Sequence, residues 1–141
     1  MRTKLFGAAI AALLLTAGTA GAATLTFSAP LKGGDEVPAN ATTGSGQVEA
    51  SLDTDAKVLS YKVTYSGLTG AATMAHFHGP AAAGANAPPV ITMMSLNSPI
   101  TGSAKLTDAQ VADLKAGKWY FNVHTQAHPG GEIRGQLKAA P

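Results

Sequence analysis

Within the predicted strand Val58–Tyr65, apolar and polar side chains alternate from Leu59 onwards, and this pattern constrains the fold more than any other feature of the chain. Successive side chains of an extended strand point to opposite faces, so the apolar residues of this segment share one face and the polar residues share the other. Such alternation is typical of an antiparallel sheet with one packed face and one face in water. The segment therefore predicts a fold built on antiparallel strands.

Most of the remaining chain also reads as short β-prone segments separated by turn residues. The other predicted strands are Thr24–Leu31, Gln47–Leu52, Thr73–His78, Val90–Leu96, Ile100–Leu106, Lys118–His124 and Glu132–Leu137. No internal repeat or linker divides them, so we expect a single domain over residues 23–141. About seven or eight short strands are typical of an all-β Greek-key β-sandwich or barrel.

One short helix interrupts this series of strands. Thr107 and Gln110 have the spacing of a capping box, in which each side chain bonds the backbone N–H of the other residue. Val111 and Leu114 give the helix a narrow apolar stripe, and Gly117 predicts its end. Because the helix is too short to form a domain, we expect it to be a crossover between strands.

The N-terminus has the features of a secretory signal peptide over residues 1–22. Arg2 and Lys4 precede a short apolar core, and Ala20–Ala22 is a small-residue cleavage site, with cutting expected after Ala22 or one residue later. The apolar core is too short and too rich in alanine for a membrane span. A chain without cysteine also lacks the residue that a lipoprotein anchor requires. We expect an exported domain, periplasmic or extracellular, without a membrane anchor.

Charge excludes one class of partner. The full chain has ten basic and eight acidic residues, and removal of Arg2 and Lys4 leaves eight of each sign. A neutral chain without a cluster of Lys and Arg among aromatic residues is not typical of nucleic-acid binding. The scattered acidic residues likewise disfavour a site for calcium.

The four histidines lie in two short segments, at His76, His78, His124 and His128. Residues two apart on a strand point to the same face, about 7 Å apart along the chain, so His76 and His78 can converge on one ion. Phe77 between them is the natural core residue, which directs both imidazoles to the outer, solvated face. His124 lies on the outer face of its own predicted strand. Since imidazole suits copper and zinc, all four histidines are predicted ligands of a copper or zinc ion.

Three charged residues accompany the histidines. Glu132 and Arg134 are two residues apart on the last predicted strand, so both lie on its outer face. The simplest interpretation is a solvated ion pair, and the alternative is a pair that orients a metal ligand or binds a partner. Glu36, in a turn-rich loop, is a further partner for Arg134. If the strands are neighbours, these side chains and the histidines form one polar patch on the outside of a sheet.

Four stretches of the chain resemble the chordin-type (CHRD) domain family. These are Glu36–Pro38, Ala75–Ala81, Leu106–Gly117, and Tyr120–Thr125 together with Pro129–Gln136, and the resemblance extends from about Thr24 to Leu137. It implies an exported single domain of the predicted fold, as in many microbial members of the family that have no established activity. It also implies that five residues occupy motif positions of the family, namely His76, His78, His124, Glu132 and Arg134.

A looser likeness is to Cu/Zn superoxide dismutase, a Greek-key β-barrel in which a His-x-His pair and a histidine from a distant strand bind copper. This chain has no cysteine pair, and the loop after Gly79 has neither histidine nor aspartate for a zinc subsite. Three hypotheses follow. The first is an exported domain that binds copper or zinc. The second is an extracellular interaction or adhesion module without metal, and the third is a copper redox enzyme, for which no catalytic residue can be assigned.

Overall fold

The computed structural model describes residues 21–141, so the predicted signal peptide, residues 1–22, falls almost entirely outside the described residues. The described part contains a sheet of nine strands and one α-helix, α1, Asp108–Lys115. In chain order the strands are β1 Thr24–Lys32, β2 Ser45–Asp53, β3 Val58–Ser66, β4 Ala72–His78, β5 Pro89–Thr92, β6 Ile100–Lys105, β7 Tyr120–Thr125, β8 Ile133–Gln136 and β9 Lys138–Ala139.

The strands form one curved antiparallel sheet in the order β5–β4–β7–β8–β1–β2–β3–β6, with β9 beside β1. Tyr61 of β3 and Phe77 of β4 lie far apart in this order, yet their ring centroids are 5.2 Å apart across the interior. The sheet therefore curls into a nearly closed barrel. The helix α1 lies in the connection from β6, an edge strand, to β7 in the other half of the sheet. The predicted all-β fold with one short crossover helix is confirmed.

The interior of the barrel is filled by the apolar faces of the strands. Phe77 packs edge-on against Phe121 at 4.8 Å between ring centroids, and Trp119 lies 6.1 Å from Phe77. Trp119, Phe121 and Val123 are fully buried. The alternation within Val58–Tyr65 also has its predicted consequence, because Leu59 and Val63 point into this core.

One predicted strand is too long. The segment Val90–Leu96 forms a strand only as far as Thr92. Beyond it the chain leaves the sheet edge and bonds to Tyr65 instead: the Tyr65 hydroxyl donates to the Leu96 carbonyl, and the Ser98 hydroxyl accepts from the Tyr65 backbone N–H at 3.0 Å. Tyr65 of β3 thus holds the chain after β5 through its hydroxyl and its backbone N–H.

The helix has the predicted capping box. Thr107 Oγ1 accepts from the Gln110 backbone N–H at 3.2 Å, and Gln110 Oε1 accepts from the Thr107 N–H at 2.9 Å. Leu114 is fully buried, and Gly117 adopts a left-handed φ of 71° just after the helix. These contacts dock the helix on the core and set the direction in which the chain enters β7.

Candidate metal centre

The structure brings three of the four histidines together. β4 and β7 are neighbouring antiparallel strands, with Met74 opposite His124 and His76 opposite Asn122. This pairing places the imidazoles of His76, His78 and His124 on one side of the two strands, away from the barrel core. The strand adjacency on which the predicted site depended is therefore present. We refer to these three residues as the three-histidine cluster.

The cluster has the dimensions of a metal site. One ring nitrogen from each of the three histidines can be chosen so that all three lie within 4.8 Å of one another. His76 Nδ1 and His124 Nε2 are 3.3 Å apart. Ligand nitrogens around a tetrahedral zinc ion, with bonds of about 2.0–2.1 Å, lie about 3.3 Å apart. The three-histidine cluster therefore brings three nitrogen donors close enough together to hold one ion.

Backbone carbonyls orient two of the rings. His78 Nδ1 donates to the carbonyl oxygen of Ala87 at 2.9 Å, and His124 Nδ1 donates to that of Pro129 at 2.8 Å. A carbonyl can only accept, so each ring carries its proton on Nδ1 and keeps an unprotonated Nε2. Both Nε2 atoms point towards the centre of the cluster. Orientation of a histidine ligand through its second nitrogen is the usual arrangement around a protein-bound metal.

The surroundings of the cluster favour neutral imidazole. Burial lowers the pKa of His76, and the neighbouring His124 and His78 lower it further. Burial also lowers the pKa of His78, although its hydrogen bonds to Ala87 and Asn122 act in the opposite direction. Only the neutral ring can donate a lone pair to a metal. Both rings are therefore in the protonation state that binds metal at neutral pH.

The exposure of the site differs from the expectation. The sequence predicted imidazoles that face water, but His76, His78 and His124 are only 7–8% exposed. The segment 79–88 folds over the outer face of the strands, where Ala87 O accepts from both His78 Nδ1 and the Tyr120 hydroxyl. This cover consists of small residues without a hydrophobic pattern, so it carries no sequence signal of burial.

His128 does not join the three-histidine cluster. It is half-buried in the turn after β7, where its backbone N–H donates to the Thr125 carbonyl at 3.2 Å. Among the described residues, the group that could hold a metal contains only the other three histidines. His128 was predicted to be a ligand, but it is not part of the group of histidines that could hold an ion.

Glu132 is buried, and its environment differs from the predicted solvated ion pair with Arg134. Its carboxylate is 0% exposed and is held by three threonines rather than by a cation. Thr42 and Thr125 donate hydroxyl hydrogen bonds of 2.6 Å, and Thr69 donates both its hydroxyl and its backbone N–H at 2.8 Å. Burial alone would raise the pKa of Glu132, but these hydrogen bonds outweigh it and lower the pKa to about 2.

Arg134 is also internal and supports the cover of the site. Its guanidinium donates to Asn86 Oδ1 at 2.8 Å and to the Ala85 carbonyl at 2.6 Å. The central carbon of the guanidinium lies 3.5 Å from the centre of the Tyr120 ring. The Tyr120 ring in turn stacks on the His78 ring, with 4.6 Å between the ring centroids and an angle of 3° between the ring planes. Arg134 therefore fixes segment 79–88 and, through Tyr120, the plane of the His78 ring.

Glu36 lies beside this network and is 5% exposed. Burial raises the pKa of Glu36 to about 7, although the Arg134 charge, the Asn122 amide and the Val37 backbone oppose the increase. The predicted proximity of Glu36 and Arg134 is thus present, but no ion pair joins them within residues 21–141. Glu36, Glu132 and Arg134 are all buried. These three residues therefore do not form the expected polar patch on the outside of the sheet.

One residue of the candidate site was not predicted from the sequence. Asn122 is 3% exposed, and its Oδ1 lies 2.9 Å from His78 Nε2 and 3.0 Å from His124 Nε2. The signal was available, because Asn122 shares the non-core face of its strand with His124. An amide is a less usual ligand of zinc or copper than imidazole, thiolate or carboxylate, so the residue type alone did not mark Asn122 as part of the site.

Comparison with known proteins identifies the family. Residues 27–137 match the family model of the CHRD domain, in agreement with the resemblance of the four stretches. No curated protein and no solved structure matches the chain. Within residues 21–141, no helix is long and apolar enough to cross a membrane. Since the match covers most of the chain, this protein belongs to the CHRD domain family.

Proposed function

We propose that this protein is an exported CHRD domain that binds one copper or zinc ion between β4 and β7, with His76, His78 and His124 as ligands. The observation that carries the proposal is the convergence of three buried imidazoles within 4.8 Å. The carbonyl groups of Ala87 and Pro129 support it, because they hold two of the rings with Nε2 directed inwards.

The donor set indicates the class of metal. Nitrogen ligands suit copper and zinc, whereas calcium and magnesium prefer oxygen ligands and carboxylate charge. The nearest carboxylates do not contribute, since Glu132 is enclosed by threonine hydroxyls and Glu36 is not part of the cluster. A site of this composition favours copper(II) or zinc(II).

The first prediction concerns the ligands. We expect about one copper(II) or zinc(II) per chain at micromolar affinity or tighter, by elemental analysis of protein from its native compartment and by calorimetric titration. The His76→Ala, His78→Ala double variant removes two of three nitrogen donors and should lose most of this affinity. Equal binding by the double variant and the wild type would contradict the proposal.

His128→Ala is the matched control, because it removes an imidazole that lies outside the three-histidine cluster. We expect its affinity to equal that of the wild type. A large loss in this variant would instead support the sequence-based prediction that His128 is a ligand. Circular dichroism of each metal-free variant separates a lost ligand from a lost fold.

Export is the second part of the proposal. Three features of the N-terminal segment support it: the basic residues Arg2 and Lys4, the short apolar core that follows them, and the small residues at 20–22. Expression in a bacterial host with both compartments intact should give a mature chain that begins at Ala23 or one residue later. Mass spectrometry of the periplasmic and culture fractions tests this, and an uncleaved chain confined to the cytosol would contradict it.

A further inference from the structure

The centre of the three-histidine cluster has an electrostatic conflict that the histidines alone do not resolve. His78 and His124 each donate through Nδ1 to a carbonyl, so each presents an unprotonated Nε2 lone pair. Both lone pairs face Asn122 Oδ1, at 2.9 and 3.0 Å. His76 Nδ1 can donate to His124 Nε2 at 3.3 Å, but Asn122 Oδ1 still faces both Nε2 atoms with no proton on either line of contact. Acceptors that face one another in a buried place are unfavourable.

The orientation of the Asn122 amide is set by Glu36, which lies on the side of the amide away from the histidines. Gly131, with a φ of 131°, lies against this amide, and a Cβ there would overlap Glu36 Oε1 and come within 2.7 Å of Asn122 Nδ2. The amide nitrogen thus faces the Glu36 carboxyl. Glu36 Oε1 makes no hydrogen bond of good geometry, but the amide is close enough to lower the pKa of that carboxyl. A flipped amide would turn its oxygen towards the carboxyl oxygens.

We propose that Asn122 Oδ1 is a fourth donor to the metal ion, which gives the site three nitrogen ligands and one oxygen ligand. This inference rests on the proposed metal site. A divalent cation removes the conflict, because it accepts all the converging lone pairs. Neighbouring ligands lie about 3.3 Å apart around tetrahedral zinc and about 2.9 Å apart around square-planar copper(II). The contacts of 2.9, 3.0 and 3.3 Å within the cluster fall in this range.

The fourth donor makes the site selective. An amide oxygen is a hard ligand, so a set of three imidazoles and one carbonyl oxygen suits zinc(II) and copper(II) better than copper(I), which prefers thiolate or thioether ligands. The oxygen comes from the middle of β7 and not from a mobile loop. We therefore expect the protein to bind divalent ions of this size in preference to copper(I).

The decisive experiment observes Asn122 directly in the wild-type protein. Zinc(II) is titrated into labelled protein while the side-chain amide resonances are followed by NMR. Coordination through oxygen draws electron density from the carbonyl, so the Asn122 Cγ resonance should move downfield while its NH₂ signals persist. Asn40, which donates to the Glu132 carbonyl, and Asn97, which is exposed, are internal controls and should stay in place. A stationary Asn122 Cγ resonance in zinc-loaded protein would overturn the inference.

Two variants give a second measurement. Asn122→Leu removes the oxygen donor at similar volume and should weaken zinc(II) binding at least tenfold. Asn122→Asp retains an oxygen in the same place and should bind at least as tightly as the wild type. If Asn122→Leu binds as tightly as the wild type, Asn122 is not a ligand even though the histidines are. If the wild type itself binds no metal, the proposed function fails, and the two failures remain distinct.

Discussion

Glu132 shows how a single residue can be charged and buried without a cation. Four donated hydrogen bonds from three threonines satisfy the two carboxylate oxygens, and these donors come from separate parts of the chain. Hydrogen bonds to the charged form favour that form, so the pKa falls despite burial. The carboxylate thereby fixes the loops that carry Thr42 and Thr69 to the end of β7.

These hydrogen bonds predict that the free energy of unfolding decreases at low pH. The pKa of Glu132 falls from its ordinary value of 4.5 to about 2 on folding. The folded state therefore binds this proton less readily than the unfolded state, and the stabilisation is complete above about pH 4.5 and is lost as pH falls towards 2. Glu132→Gln should cost about 2–3 kcal/mol near pH 7, with the difference from the wild type shrinking in that acid window.

Urea denaturation at several pH values measures this effect. Glu49→Gln, at an exposed position of β2, is the matched control and should change stability by less than about 0.5 kcal/mol at every pH. A cost for Glu132→Gln that stays constant from pH 7 to pH 2 would show that the threonine hydrogen bonds do not act through the charge.

Individual side-chain directions could be predicted from the sequence, but their surroundings could not. The pleat correctly separates Phe77 from its two histidine neighbours, because direction depends only on alternation. Burial of those histidines depends on segment 79–88, and the environment of Glu132 depends in part on Thr42 and Thr69, each more than sixty residues away. No local pattern reports such contacts.

At the scale of the element, β7 contributes side chains both to the core and to the three-histidine cluster. Every residue of Tyr120–Thr125 is buried. Phe121 and Val123 lie on one face of the strand and pack in the core, and Asn122 and His124 lie on the other face, in the candidate metal centre. A change in core packing that shifts β7 would therefore also shift the polar side chains on its other face.

Trp119, just before β7, is predicted to anchor this strand. The side chain is fully buried beside Phe77, so Trp119→Ala should cost about 3–5 kcal/mol in the metal-free protein. Met94→Ala is the control, because Met94 is 97% exposed and its loss should change stability by less than about 0.5 kcal/mol. Chemical denaturation that finds the two costs comparable would mean that Trp119 is not a core residue.

The elements themselves were predictable where periodicity or capping marks them. The alternation of Val58–Tyr65 and the capping box at Thr107 both correspond to the observed strand and helix. The predicted strand Val90–Leu96 was too long because its end is set by hydrogen bonds to Tyr65. Strand order, including the adjacency of β4 and β7, is set by long-range packing and was left open by the sequence.

For the whole molecule, the proposed ion joins two strands that are distant in sequence, since His76 and His124 are 48 residues apart. Binding to the folded state alone stabilises it, and free zinc(II) at one hundred times the dissociation constant should add about 2.7 kcal/mol. Thermal unfolding with and without zinc(II) tests this in the wild type. The same zinc-dependent increase in the His76→Ala, His78→Ala variant would mean that zinc binds elsewhere.

The cover of the site has a consequence for rates. Ala87 O accepts from both His78 and Tyr120, and the preceding residues Ala85 and Asn86 are held by Arg134. A movement that lifts segment 79–88 therefore also releases the His78 ring. For the proposed ion, we expect exchange with the surroundings to be limited by the opening of this segment. Its residence time would then depend on Arg134, which is not among the proposed ligands, while its equilibrium affinity would depend on the donors.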